Sequence, residues 1–255
     1  MSAPGSLVLV PNTLDLGTDA VDIQSVLPLV ALQRAARIRH WAAEDARSTR
    51  AFLKRVDAVV PLEVPIQSLD IRELPRPRKG SREAVPAAEW QALLAPALQG
   101  LELGLISEAG LPAVADPGSS LVLAAQAASV TVNVLAGPSS LLLALAGSGL
   151  NGQNFAFVGY LPQDAASRAA RLKELETLSR RLGQTQIFIE TPYRNAAMLG
   201  AALQALSPST HFTVACGLTL PGGWVRTLRV SQWQQAAMAP ALPERWPAVF
   251  ALQAG

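Results

Sequence analysis

The sequence has very few metal-binding and redox-active side chains: one cysteine and two histidines in 255 residues. One cysteine cannot form a disulfide within the chain, and this set is too small for an ordinary zinc site. We therefore predict no catalytic metal. Cys216 lies in the apolar run FTVAC, which favours a buried structural thiol over a reactive one.

Long apolar runs and nucleotide signatures are also missing. No apolar run is long enough to span a bilayer, and no basic segment precedes the short apolar run at the N-terminus. Half of the residues are hydrophobic, which is typical of a globular protein. We expect a cytoplasmic protein without a membrane partner. The absence of G-x-G-x-x-G and GK[ST] loops excludes an ordinary dinucleotide fold and a P-loop enzyme.

Lysine and arginine are absent between Arg82 and Arg168. By contrast, seven occur from Arg34 to Arg55 and five from Arg72 to Arg82. One interpretation is ordinary surface charge beside an apolar core region. The other is a ligand site that avoids positive charge, flanked by basic surface for an anionic substrate.

Strand and helix signals alternate along the chain and predict an α/β fold. The first half indicates a mostly parallel sheet. The second half indicates a mixed sheet with an antiparallel hairpin around Pro221-Gly222-Gly223. The turn NGQN at 151–154 predicts a boundary between lobes 1–150 and 151–255. The predicted strands are 7–10, 40–43, 101–107, 130–135, 155–160, 186–190, 212–217 and 248–252, with 65–74 ambiguous; the main helices are 26–36, 47–55, 90–98, 119–128, 165–182 and 195–206.

Three strand-to-helix turns fall where ligands bind in parallel sheets. The first runs from Ser107 through Gly110 and Pro112 to the helix start Asp116-Pro117-Gly118. The second is Gly137-Pro138-Ser139-Ser140, and the third is Glu44-Asp45 before a helix. The alternative is that these Gly-Pro turns and N-cap residues only join elements.

Five ordered blocks resemble the tetrapyrrole-methylase superfamily, and within it the small-subunit ribosomal RNA ribose 2′-O-methyltransferases. ISEAGLPAVADPGSSLV is similar to that branch's S-D-A-G-x-P…S-D-P-G block, and WAAEDARSTRAFL to its A-E-D-T-R-x-T segment. LAGPSSLLLALAGSGL, FAFVGYLP and IFIETPYRNAAML are similar to its P-G-P-S-A, F-x-F-x-G-F-L-P and E-S-P-H-R blocks.

The resemblance implies an S-adenosylmethionine-dependent methyltransferase, commonly a homodimer, with the cofactor in a cleft between two α/β lobes. A cation-free segment suits the cofactor's sulfonium charge. The residues that the resemblance assigns to the cofactor are Pro11, Ser107, Glu108, Ala109, Gly110, Pro112, Gly137, Pro138, Ser139, Ser140, Thr191 and Ala215.

Two segments depart from the family pattern and make this chain a divergent side branch. The first loop is PNTLDLG where the branch has P-T-P-I-G-N-L. ACGLTL replaces A-R-E-L-T-K, so that Cys216, Gly217 and Leu220 stand in place of Arg, Glu and Lys. The G-x-G-P-G-D loop of the tetrapyrrole branches is absent.

Three carboxylates are candidates for taking a proton from a ribose hydroxyl. Glu108 and Asp45 follow strands that end at the expected site, and Glu190 is a third candidate. The alternatives are a solvent-facing loop residue for Glu108, an N-cap for Asp45, and an ion pair with Arg194 for Glu190.

Basic side chains could contact RNA phosphates. Arg47, Arg50 and Lys54 have the spacing of one helix face, and Arg76, Arg78 and Lys79 lie in a proline-rich loop; a solvated surface is the alternative for both groups. The sequence therefore leaves three functions open: an RNA methyltransferase, a methyltransferase for a small molecule such as a tetrapyrrole, and a cofactor-binding protein that has lost catalysis.

Overall fold

The computed structural model describes residues 5–15, 17–18, 20–77, 85–235 and 242–255. It divides into two compact units, Met1–Ser139 and Ser140–Gly255. The sequence placed the boundary later, at the turn 151–154. The units divide earlier because the helix Ser140–Ser148 packs on the second sheet, against Ile187, Ala215 and Val249.

The first unit is a parallel α/β layer, as the sequence predicts. Its elements are β1 Ser6–Leu9, α1 Leu29–Ala35, β2 His40–Ala43, α2 Ala46–Asp57, β3 Asp70–Glu73, α3 Ala87–Leu93, α4 Ala95–Leu98, β4 Glu102–Ile106, α5 Ser119–Ala127 and β5 Thr131–Val134. The ambiguous segment 65–74 thus contains a short strand, and the predicted helix 90–98 is two helices that meet at Leu94.

The five strands of this unit have the order β3-β2-β4-β1-β5, and every pairing is parallel. The three inner strands β1, β2 and β4 are covered on both faces and are mostly apolar and buried. The edge strands β3 and β5 are more polar and partly exposed. Val8 and Val10 pack on one face with Phe52 of α2. Leu7 and Leu9 pack on the other with Leu121 of α5. This alternation follows from side chains pointing to opposite faces along a strand.

The second unit is a mixed α/β layer, which confirms the predicted fold class. Its elements are α6 Ser140–Ser148, β6 Phe155–Tyr160, α7 Ala165–Leu182, β7 Thr185–Glu190, α8 Asn195–Ala205, β8 His211–Cys216, β9 Trp224–Arg229, α9 Val230–Trp233 and β10 Ala248–Gln253. The strand order is β6-β7-β10-β8-β9. Among the described strands, β6 and β7 pair in parallel and the other pairings are antiparallel, including the predicted hairpin of β8 and β9.

Aromatic rings fill the main core of the second unit. Phe188, Phe212 and Phe250 lie on three neighbouring strands, with ring centroids 5.7–6.3 Å apart. Cys216 packs in the same cluster and is fully buried. Burial raises the pKa of the Cys216 thiol to about 11, so the prediction of a structural thiol is confirmed.

Within the described residues, none of the helices combines the length and the apolar character that crossing a membrane requires.

Candidate functional site

The carboxyl ends of β1 and β4 form the candidate site in the first unit. These two strands are neighbours, but the helices that follow them pack on opposite faces of the sheet. The helix α1, after β1, belongs to one core cluster, and α5, after β4, belongs to the other. Such a divergence opens a crevice outside the strand ends, where ligands bind in open parallel sheets. The sequence predicts cofactor residues after both strands.

Hydrogen bonds join the loops that follow these two strands. The Asn12 N–H donates to the Gly110 carbonyl at 2.9 Å, and the Gly110 N–H donates to the Thr13 carbonyl at 3.2 Å. The Asn12 side-chain amide also donates to the carbonyls of Ser107 and Glu108, both at 3.1 Å. The loop after β1 therefore fixes the position of residues 107–110.

The backbone from Gly110 to Gly118 adopts left-handed conformations repeatedly. Gly110 and Gly118 have φ values of 66° and 128°, where glycine is unstrained. Ala113 and Ala115 have φ values of 65° and 64°, which cost an alanine about 1–2 kcal/mol each. Strain of this kind concentrates at functional sites, where the surrounding structure maintains it.

Ser107 carries an unpartnered polar group at the start of this loop. Its residue is 2% exposed, and its hydroxyl oxygen has no hydrogen-bond partner in the described part of the chain. A buried hydroxyl without a partner costs about 1–3 kcal/mol. A ligand with a polar group could remove that cost by pairing with the Ser107 hydroxyl.

An ion pair within the protein interior holds the loop after β1. The Asp15 side chain has no exposed surface, and its Oδ2 lies 3.0 Å from Arg55 Nη2. The hydroxyl of Thr13 donates to Asp15 Oδ1 at 2.6 Å, and Arg55 also donates to the Val21 carbonyl at 2.8 Å. Burial opposes the charged form of Asp15, but the bonds from Thr13 and Arg55 outweigh it and lower the pKa.

Three carboxyl groups gather at the ends of β2 and β4. The Glu108 N–H donates to Glu44 Oε2 at 3.0 Å, which links the two strand ends. Burial, and then repulsion by Glu44 and Asp45, raises the pKa of Glu108. Burial, and then repulsion by Glu44 and Glu108, raises the pKa of Asp116 to about 7. Asp116 is therefore partly protonated near neutral pH.

Asp45 caps α2. Its Oδ1 accepts a hydrogen bond from the Ser48 N–H at 2.6 Å, and that bond is the main reason why its pKa is lowered. The structure thus gives Asp45 the N-cap role that the sequence left open beside catalysis. A carboxylate held in this way is a weak proton acceptor, so Asp116 is the better partner for Glu108.

The turn after β5 lies against the loop after β1. A side chain at Gly137 would come within 2.1 Å of the Pro11 Cβ, so only glycine allows this approach. The Pro138 carbonyl lies 3.2 Å from the position that a side chain at Gly110 would occupy. The structure therefore brings together Pro11, Gly110, Gly137 and Pro138. Ser139 ends the first unit, and Ser140 begins α6 in the second.

The predicted residues of the second unit lie at one end of its sheet. Glu190 Oε1 accepts from the Thr191 N–H at 2.7 Å and from Arg194 at 2.5 Å. Glu190 therefore holds the loop through Arg194, which is the alternative that the sequence analysis gave for it. Ala215 is fully buried beneath α6 and offers no surface to a ligand. That burial depends on a helix that passes over the strand, which local sequence does not reveal.

The predicted basic residues fall into two groups. Arg47 is exposed on α2, and Arg76 donates to the Glu44 carbonyl at 3.0 Å at the edge of the acidic cluster. Arg78 and Lys79 lie outside the described residues. In the described ranges, no three histidine, cysteine, aspartate or glutamate residues are arranged to hold a metal ion.

Two α/β layers of this kind, one parallel and one mixed, match known proteins along nearly the whole chain. The structure of the methyltransferase CobJ superposes with a TM-score of 0.54 and 16% identity, covering 98% of this chain and 95% of that one. A uroporphyrin-III C-methyltransferase from Thermus thermophilus, solved with S-adenosylhomocysteine, superposes with a TM-score of 0.51 and 16% identity. The match covers 98% of this chain and 97% of that one. At these identities the likeness establishes the fold.

The family is established by sequence. The tetrapyrrole (corrin/porphyrin) methylase profile matches residues 28–232, and the chain belongs to that family. Proteins named ribosomal RNA small subunit methyltransferase I are similar to it. The Mycobacterium tuberculosis protein is 35% identical over 70% of this chain and 56% of its own length. The Micromonospora olivasterospora protein is 33% identical over 84% of this chain and 60% of its own length. The Vibrio cholerae protein is 37% identical over 51% of this chain and 43% of its own length. The chain thus spans about half the length of these relatives.

Replacing Arg55 by leucine should destabilise the first unit by about 3–5 kcal/mol at pH 7, because Asp15 would keep a buried charge without a counter-ion. The Asp15→Asn/Arg55→Leu double variant should recover part of this loss. Since the pKa of Asp15 is lowered, the contribution of the ion pair is present above pH 4 and is lost on acidification. Urea unfolding at several pH values measures it.

Arg50→Leu is the matched control, because Arg50 is exposed on the same helix. It should change stability by no more than about 0.5 kcal/mol. Equal losses in the two single variants would show that the Asp15–Arg55 pair does not hold the loop.

Proposed function

We propose that the protein is an S-adenosylmethionine-dependent methyltransferase that acts on a ribose 2′-oxygen of small-subunit ribosomal RNA. Membership of a methylase family supports methyl transfer. The names of relatives at 33–37% identity support ribosomal RNA as the substrate. A small-molecule methyltransferase and a cofactor-binding protein without activity are the outcomes that the experiments below would reveal instead.

The unpartnered Ser107 hydroxyl is the observation that supports a cofactor at this site. It is buried beside a strained loop, where ligand contact would satisfy it. Glu44, Glu108 and Asp116 give this region negative charge, and lysine and arginine are absent from 83–167. That electrostatic setting stabilises a cation. S-adenosylmethionine, when bound, supplies an electrophilic methyl group on a positively charged sulfur.

The surroundings of the residues that the resemblance assigns to the cofactor support this role for some of them more than for others. Ser107, Glu108, Ala109, Gly110 and Pro112 form one loop, and Pro11, Gly137 and Pro138 lie against it, which supports a joint role in binding. Thr191 is half-buried in the second unit, and its assignment stays a prediction from the resemblance. Ala215 is fully buried, so contact with any ligand would require a change in its packing.

The chemistry required of the protein is positioning and removal of one proton. A ribose hydroxyl becomes a good nucleophile as its proton leaves, and a base whose pKa lies near the working pH accepts that proton best. We propose that Glu108 takes the proton, because burial, and then repulsion by Glu44 and Asp45, raises its pKa. Asp116 shares the proton with it as a coupled pair, since burial, and then repulsion by Glu44 and Glu108, raises the pKa of Asp116 to about 7. Asp45 acts through α2, which it caps.

Saturating S-adenosylmethionine should raise the melting temperature of the wild type by about 5–10 °C, because a ligand at a hundred times its dissociation constant adds about 2.7 kcal/mol. Gly110→Trp should abolish the shift, since any side chain there meets Leu14 and the Pro138 carbonyl. Ser107→Ala should reduce the shift while keeping the fold. Differential scanning calorimetry measures both.

The matched control is Gly152→Trp, because nothing lies within 4 Å of a side chain at Gly152. It should keep the full shift. A wild type that shows no shift at millimolar cofactor would exclude the proposed enzyme.

Turnover should increase with pH up to an apparent pKa near 7, because Asp116 loses its proton there and the acidic groups around Glu108 can then accept one. Glu108→Gln should lower kcat by about 10²–10⁴-fold at every pH. Asp116→Asn should remove the step near pH 7, because the pKa of about 7 belongs to Asp116. Single-turnover transfer of labelled methyl groups to small ribosomal subunits measures these effects.

Asp45→Asn is the control, since asparagine is an equally good N-cap. Its turnover on the high-pH plateau should stay within about threefold of the wild type, while the pKa of Glu108 should fall because the repulsion by Asp45 is lost. If Glu108→Gln turned over at the wild-type rate, another group would have to take the proton.

We also propose that the protein works in the cytoplasm, where ribosomal RNA is accessible, and forms a homodimer. An apolar groove of about 440 Å³ beside α5 supports the dimer, because its lining includes Leu123 and Val134, which are 71% and 64% exposed. Exposed apolar patches of this kind commonly mark protein interfaces. Leu123→Glu/Val134→Glu should then be a monomer by light scattering.

Leu182→Glu, which changes an exposed leucine on α7, should leave the dimer intact. A wild type that is already monomeric would contradict the proposed assembly.

A further inference from the structure

A basic groove runs along the outer face of α2. Arg47, Arg50 and Lys54 line it together with Ala51, and a short 3-10 helix, Ile66–Ser68, supplies Ile66 and Gln67 opposite. The groove encloses about 470 Å³, which lies within the range of sites that hold nucleotide-sized ligands. Their spacing predicts that these three cations share one helix face, and in the structure all three line the same surface depression.

Of these three cations, Arg50 donates a hydrogen bond within α2, from its Nη1 to the Ala46 carbonyl at 3.2 Å. All three are exposed, and within the described ranges none has a carboxylate at ion-pairing distance. Arg34 pairs with Glu102, and Arg55 turns inward to Asp15. Replacing these three side chains would therefore break no ion pair of the described residues and one exposed hydrogen bond within α2. Unpaired cations gathered along one groove are typical of surfaces that bind phosphates.

The groove begins beside the candidate active site. Glu44, at the end of β2, accepts the Glu108 N–H, and α2 starts two residues after Glu44. Arg47 is thus near the carboxylate cluster, and Lys54 lies about 10 Å further along the helix axis. A polyanion with one nucleotide at the site would extend its neighbouring phosphates along this line of cations.

The charge pattern requires such a surface. The carboxylates at the site stabilise a sulfonium but repel phosphates, so an RNA backbone must gain its binding energy from cations nearby. Phosphate contacts supply most of the affinity of nucleic-acid binding without reading sequence. Gln67 adds an amide and Ile66 an apolar surface, which suit a sugar or a base between two phosphates.

We propose that this groove, lined by Arg47, Arg50, Lys54 and Gln67, holds the RNA backbone that flanks the methylated nucleotide. The inference rests on the proposed function, and it assigns the substrate's phosphates to α2 as a surface additional to the loop that contains Arg76. The groove positions the substrate and takes no part in the transfer itself.

The test is the Arg47→Gln/Arg50→Gln/Lys54→Gln variant, measured with protein-free small-subunit ribosomal RNA and with small subunits, both from cells lacking the protein. Its RNA affinity at 150 mM salt should fall about 10–100-fold, and the slope of log affinity against log salt should decrease by about two to three. The melting shift caused by S-adenosylmethionine should stay as in the wild type.

The matched control is Lys173→Gln/Arg180→Gln/Arg181→Gln, which removes the same charge from exposed positions on α7. It should change the RNA affinity by less than about threefold. If both triple variants lost the same RNA affinity, the effect would come from the net charge of the protein and not from the groove, and the inference would be overturned.

Two further outcomes separate this inference from the proposed function. If the wild type methylates the RNA and the α2 variant binds and methylates it equally well, the groove has another ligand, such as an acidic protein, and the inference alone is wrong. If the wild type binds S-adenosylmethionine but neither binds nor methylates either RNA probe, the proposed substrate is wrong, and the inference is wrong with it.

Discussion

The buried ion pair between Asp15 and Arg55 is the interaction on which the candidate site depends. It fixes the loop after β1, which carries Asn12, and Asn12 in turn fixes residues 107–110 through three hydrogen bonds. Without that support the left-handed residues of the neighbouring loop would relax, since backbone strain persists only where surroundings enforce it. A side chain in α2 therefore determines the geometry of a loop that follows β4.

The helix α2 contributes to three features of the first unit: the carboxylate cluster, the buried ion pair and the basic groove. Its N-cap, Asp45, follows directly after Glu44, which belongs to the carboxylate cluster. Its inner face supplies Arg55 to the ion pair, and its outer face supplies the basic groove. One amphipathic helix can thus stabilise the site and present cations to a substrate, because residues on opposite faces have no contacts in common.

The sequence predicts the layers well because they depend on local patterns. Apolar strands closed by proline or glycine identify β1 and β4, and the hairpin at Pro221-Gly222-Gly223 follows from turn chemistry. Asp116 was recognised only as a helix start. Its pKa near 7 comes from burial and from Glu44 and Glu108, which only the folded chain brings close to it. The Asp15–Arg55 pair was missed for the same reason, since the two residues are distant in sequence.

The two departures from the family pattern have different physical consequences. In the second unit, Cys216 is buried and Gly217, at a φ of 61°, packs against the Trp246 ring, so the ACGLTL segment builds a hairpin turn. Neither residue can exchange a proton near neutral pH. In the first unit, the altered loop PNTLDLG supplies Asn12, Thr13 and Asp15 to the network that supports Ser107. The altered second segment therefore supplies no group for proton transfer, whereas the altered first loop holds the backbone of Glu108, the proposed base, through Asn12.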